Sequence, residues 1–249
     1  MKRSLKELKG YSLQAIDGEK GKVKNFLFDE EEWTIRYVEV ELGNIFKDKR
    51  VLIPKEFFGE PDWDEKNFPV QLTVEMIKNS PDLDFDLPVS RKYEANLLHH
   101  YEIKPYWPET VATYAGRDSM FDPNNPFKAP KKITDEEDLN TNLRSFNEIR
   151  SYYINAIDER FGHIDDLIID DEEWTIMYVI ISTKNIVPWG KDVMLPVEII
   201  NEISYFEKEA VINLPKETIK NAPEYKPAMA INAEYERVLY DFYGRKIIK

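Results

Sequence analysis

No cysteine occurs in the 249 residues, which removes disulfides, thiolate metal sites and a cysteine nucleophile together. Histidine is almost as scarce. His99, His100 and His163 are the full set, and the first two are neighbours on a predicted helix, so their rings project in different directions and poorly suit joint metal binding. No apolar run approaches the length of a signal core or a membrane span, which predicts a soluble, cytoplasmic chain with no membrane span. Cationic charge is also short. With 34 Lys and Arg against 47 Asp and Glu, the net charge is -13, and such a surface repels phosphate backbones. Direct nucleic-acid binding is not expected. Neither a Gly-x-Ser-x-Gly elbow nor a Gly-x-Gly-x-x-Gly or Gly-x-x-x-x-Gly-Lys phosphate loop is present. Gly18-Glu19-Lys20-Gly21 reads as a turn.

What the chain does contain is a duplication. Ala15-Ile16-Asp17, Gly21 and Asp29-Glu30-Glu31-Glu32-Trp33-Thr34-Ile35-Arg36-Tyr37-Val38 return as Ala156-Ile157-Asp158, Gly162 and Asp170-Asp171-Glu172-Glu173-Trp174-Thr175-Ile176-Met177-Tyr178-Val179. Val51-Leu52-Ile53-Pro54 meets Val193-Met194-Leu195-Pro196, and Tyr93-Glu94 meets Tyr235-Glu236. Features kept by both copies belong to the fold. Features of one copy alone are the candidates for specific function.

Within the first copy, residues 11–16, the apolar pattern from Val23 to Phe28, residues 34–42, 49–54 and 68–72 read as strands. Pro54 marks a strand end because proline cannot donate to a ladder. Thr73 is a helix N-cap for residues 74–79, and Ser90 caps a longer helix reaching Tyr101. The second copy repeats the order, with strands at 153–157, 164–169, 175–182, 192–195 and 210–214 and helices at 215–221 and 232–243. Residues 1–107 and 146–249 are thus the two expected domains. Between them, 108–145 carries prolines, paired asparagines and an acidic run, a composition suited to an irregular connector.

The acidic clusters at residues 29–32 and 170–173 invite a metal reading, because hard cations favour carboxylate oxygens. Consecutive residues in a turn point different ways, and the Asp-x-Asp-x-Asp-Gly spacing of a calcium loop is missing. They read as solvated turns, and no metal, cofactor or catalytic residue is expected. Trp33 and Trp174 hold one position in both copies and read as core. Tyr106 and Trp107 differ. They stand at the exit of the first copy, where the second has Arg245-Lys246-Ile247-Ile248-Lys249, and they are the expected partner-binding residues; a local staple beneath the connector is the competing reading.

The Gly-centred turn, the Asp-Glu-Glu-Glu-Trp-Thr-Ile-Arg-Tyr-Val stretch and Val-Leu-Ile-Pro resemble the PRC-barrel domain in both copies. Its members include the cytoplasmic part of the photosynthetic reaction-centre H subunit and the C-terminal domain of a ribosome maturation factor. The resemblance implies a mainly β fold: two tandem small antiparallel β-barrels, each followed by short helices. It also implies a non-enzymatic interaction or assembly module that binds a protein partner, with self-association open. The alternative is a small-molecule or metal-binding sensor using the cleft between the two barrels.

Overall fold

The computed structural model describes residues 1–43, 49–83, 89–107, 142–184, 190–227 and 231–244. Most of the expected connector, 108–141, lies outside the described residues. Residues 1–78 and 142–249 form one unit, and residues 79–141 form another.

The first unit states its elements twice. The first copy supplies β1 (Lys2–Ser4), β2 (Ser12–Ala15), β3 (Gly18–Asp29), β4 (Thr34–Glu41), β5 (Arg50–Pro54), β6 (Asn67–Pro69) and the short helix α1 (Val74–Asn79). Helix α2 (Arg91–His100) falls in the other unit. The second copy supplies β7 (Leu143–Ser145), α3 (Phe146–Ile149), β8 (Tyr153–Asn155), β9 (Arg160–Asp170), β10 (Thr175–Ser182), β11 (Asp192–Pro196), β12 (Ile200–Ser204), β13 (Glu209–Ile212), α4 (Lys216–Asn221) and α5 (Ala233–Phe242). All thirteen strands join one sheet, in the order β12-β13-β8-β9-β10-β4-β3-β2-β6, with β1 on β9, β7 on β3, β5 on β4 and β11 on β10. The fold is mainly β, and its sheet curls as a half-barrel. Among the described residues no helix is long and apolar enough to cross a membrane.

Glycine is obligatory at one shared position. Gly21 has φ +88°, and a Cβ there would meet the Glu41 carbonyl at 2.4 Å; Gly162, at φ +55°, would meet that of Ser182 at 2.9 Å. The hairpin of each copy crosses too closely for any side chain. Beyond it, β4 is buried on both faces, not on one as near alternation suggests. The buried polar members are paired: Glu39 accepts from Asn25 and Arg50, and Arg36 reaches Glu32 at 2.5 Å and Asp29 at 3.7 Å. Asp17, in the preceding turn, accepts the Val74 N–H at 2.7 Å and so caps α1, and Asp158 does the same for Lys216 of α4 at 2.8 Å. The shared Ala-Ile-Asp is therefore a cap for a helix far along the chain.

The two copies exchange their leading strands. β1 pairs antiparallel with β9, placing Lys2 opposite Asp170 and Ser4 opposite Ile168. Reciprocally, β7 pairs with β3, placing Leu143 opposite Asp29 and Ser145 opposite Leu27. A buried polar side chain latches each arm. Asp166 accepts from Ser4 Oγ at 2.5 Å and from the Lys6 N–H at 3.0 Å. At the corresponding place Asn25 donates to Ser145 Oγ at 2.9 Å and accepts the Asn147 N–H at 3.0 Å.

In the other unit, Ser90 caps α2 by accepting the Tyr93 N–H at 3.1 Å, and Glu94, Leu97, Leu98 and Tyr101 are buried.

Candidate functional site

The duplicated acidic turns lie where the copies meet. The first acid of each is a turn-former: Asp29 Oδ1 accepts the N–H groups of Glu31 and Glu32 at 2.9 and 3.2 Å, and Asp170 Oδ1 those of Glu172 and Glu173 at 3.0 and 3.2 Å. Each turn ends on a tryptophan in the left-handed region, with φ 52° at Trp33 and 57° at Trp174. That conformation is costly for a bulky residue and persists only where its surroundings hold it. Here they do. The Ile35 N–H donates to the Trp174 carbonyl at 2.8 Å, and the Ile176 N–H to the Trp33 carbonyl at 2.6 Å, so the turns clasp each other across β4 and β10.

The clasp carries each indole toward the other copy, and the two arrive in different surroundings. Trp174 is buried against three rings of the first copy, with centroids 6.2 Å from Phe26, 4.8 Å from Phe58 and 5.5 Å from Phe68. The corresponding residues of the second copy are Leu167, Ile200 and Ala210, so the ring volume is missing there. Trp33 stacks on Phe28 at 5.7 Å and is half-buried. Beside it lies a cleft of about 400 Å³ lined by Glu30, Glu31, Trp33, Ile200, Asn201, Glu202 and Ile203. Of the three smaller residues, Ile200 lines this cleft.

The cleft is acidic. Glu30 pairs with Arg144 while its Oε2 is buried without a hydrogen-bond partner among the described residues. Burial pushes the Glu30 carboxyl above the usual carboxylate range, and Arg144 opposes that rise. Glu31 and Glu202 are exposed at the rim. Among the described residues no group of three or more Asp, Glu or His side chains is arranged to hold a metal ion.

One wall of the cleft is β12, which ends the path of the sheet and pairs with β13 alone among the described residues. The loop after it presents Tyr205 and Phe206, the latter 91% exposed. The corresponding stretch of the first copy reads Phe58-Gly59-Glu60-Pro61 and makes only isolated bridges, Phe58 to Val70 and Asp62 to Asn67. Its Trp63 is half-buried, at 5.9 Å from Tyr11 and with the Arg3 guanidinium 4.8 Å over its ring.

Tyr106 and Trp107 fold back on the first turn of α2. Tyr106 Oη donates to Glu94 Oε1 at 2.9 Å, the Arg91 guanidinium lies 4.2 Å over the Trp107 ring, and the two rings meet edge to face at 4.9 Å. Both are half-buried. His100 packs against Tyr101 at 4.8 Å, and His163 lies in β9 opposite Ser182. Of the Trp33 cleft, sequence reasoning reached Glu30 and Glu31, read as a solvated turn, and Trp33, read as core, and did not reach Ile200, Asn201, Glu202 and Ile203. Their signal lay in the mismatched pairs Phe58 and Ile200, Phe68 and Ala210, and Asp64 and Phe206, inside a repeat otherwise in register.

The geometry on hand is thus a duplicated, mainly β fold with an acidic cleft beside a sheet edge. Residues 2–69 and 144–219 match the PRC-barrel domain, and the chain belongs to that family, with two copies of a domain that often mediates interactions. No curated protein matches the chain.

Proposed function

We propose that this chain is a non-enzymatic interaction module, a tandem of PRC-type barrels, that binds a protein partner through the Trp33 cleft and the β12 edge. One observation carries the reading. The second copy leaves open an edge strand, a cleft and an exposed Phe206 where the first copy has a proline-interrupted, ring-filled wall. Open edges invite aggregation, and proteins usually blunt them. β12 carries a bulge between Ile200 and Glu202, and its outer side beside the cleft still offers backbone groups to a strand-adding partner. Tyr106 and Trp107 are proposed as a further contact, although their packing on Arg91 and Glu94 also serves the helix locally.

Affinity purification from the native cell, read by mass spectrometry, tests the reading with three baits: wild type, Phe206→Asp, and Tyr106→Ala with Trp107→Ala. A partner held by wild type is expected to be lost from the Phe206→Asp bait at unchanged melting temperature. Full retention on that bait would remove the β12 edge from the interface. Full retention on the double variant would reduce Tyr106 and Trp107 to a staple.

A further inference from the structure

Resting on that docking surface, we propose that the Trp33 cleft receives an arginine or lysine side chain from an extended basic segment that adds as a strand to β12. The lining chooses the charge. Three carboxylates, Glu30, Glu31 and Glu202, face a space that also exposes an indole, and carboxylates beside an aromatic ring favour a cation with an apolar stem. Glu31 and Glu202 have no salt bridge among the described residues, so both are available to an incoming ammonium or guanidinium.

The chain displays the same grouping with its own side chains. Arg3 lies 4.8 Å over the Trp63 ring with its Nε 3.8 Å from Asp171, so a guanidinium between an indole and a turn carboxylate is an arrangement this fold already holds. The strand geometry adds a constraint. Side chains of an added strand alternate faces, so a partner segment should place basic residues at every second position, with apolar residues between them. A net charge of -13 favours encounter with such a segment.

The test is fluorescence anisotropy of the full chain with a labelled Val-Arg-Val-Arg-Val-Arg peptide and its citrulline counterpart, which keeps the shape and removes the charge. The arginine peptide is expected to bind roughly tenfold or more tightly than the citrulline peptide. Glu31→Gln with Glu202→Gln, both at exposed positions and so harmless to folding, should weaken the arginine peptide by a similar factor. Trp33→Phe should weaken it less than Trp33→Ala. Equal binding of the two peptides, no binding of either, or arginine binding untouched by the double Gln variant would overturn the proposal, the last by revealing only a general attraction to an acidic protein. The two readings fail separately. If the peptides fail while Phe206→Asp still releases the native partner, the docking surface stands and its basic occupant falls.

Discussion

Trp33 and Trp174 hold the same place in the repeat, the same left-handed backbone and the same reciprocal hydrogen bond, but not the same burial. Trp174 is 7% exposed among Phe26, Phe58 and Phe68, so Trp174→Ala should cost roughly 3–5 kcal/mol in urea denaturation. Trp33→Ala, at the rim of an existing cleft, should cost less, about 1–2 kcal/mol. Equal losses would mean that the cleft is filled in solution. The shared position was legible as structural from sequence; the unequal burial was not, because it depends on which residues of the opposite copy each ring meets. A second residue-scale consequence concerns Asp166. Burial pushes its carboxyl from 3.8 up to about 6, against the hydrogen bonds from Ser4, Lys6 and Leu167 that favour the anion. Between those two values the folded chain holds a proton that the unfolded chain has released, so this group's contribution falls as pH rises through that window and stays lower above it. The first copy uses Asn25 at the corresponding place. Asp166→Asn should therefore be more stable than wild type at pH 7, by about 1–3 kcal/mol, with a flatter stability profile between about pH 4 and 6. Identical profiles would show that Asp166 does not titrate in this window.

At the scale of elements, the exchanged arms are the least legible part of the fold. β1 and β7 are three residues each, too short for alternation to declare them, and Leu143–Ser145 falls within the stretch whose composition suits a connector. The meander strands were legible because Tyr37, Val38 and Val40, like their repeats, carry strong apolar patterns. The cap at Thr73 was legible as well, and its oxygen does accept the Met76 N–H at 3.2 Å; the second cap from Asp17 was not, since it arrives from a distant turn. What fixes the arms is polar and specific. Asn25 satisfies Asn147, Ser145 and Glu39 together, so Asn25→Ala leaves buried groups unpaired and should cost about 1–3 kcal/mol. Amide hydrogen exchange should then quicken at β7 and leave β1, latched by Asp166, unchanged. Equal acceleration of both arms would show that they open as one element.

At the scale of the whole molecule, duplication was plain in the sequence, but the sharing of strands between copies was not, because a hydrogen bond between copies leaves no local signature. The sharing predicts what one copy does alone. In a fragment of residues 142–249, β7 has lost β3, the flank of β9 that receives β1 is bare, and Trp174 has lost its three phenylalanines. A second identical fragment can supply most of what is missing. Its β7 can take the place of β1 on β9, with Arg144 standing for Arg3 near Asp171 and Ser145 for Ser4 beside Asp166, and the two Trp174 turns can clasp through their own Ile176 amides about a two-fold axis. The fragment should therefore run as a homodimer in light scattering behind gel filtration, with a melting temperature that rises with concentration. It should also be weaker than the parent fold, because in that dimer each Trp174 meets Leu167, Ile200 and Ala210 and is left half-buried, as Trp33 is here. Ala210→Phe is expected to close part of that deficit and tighten the dimer. A fragment that stays monomeric while keeping the full-length melting temperature would show that each copy is complete by itself and that the exchanged arms are ornament on two independent folds.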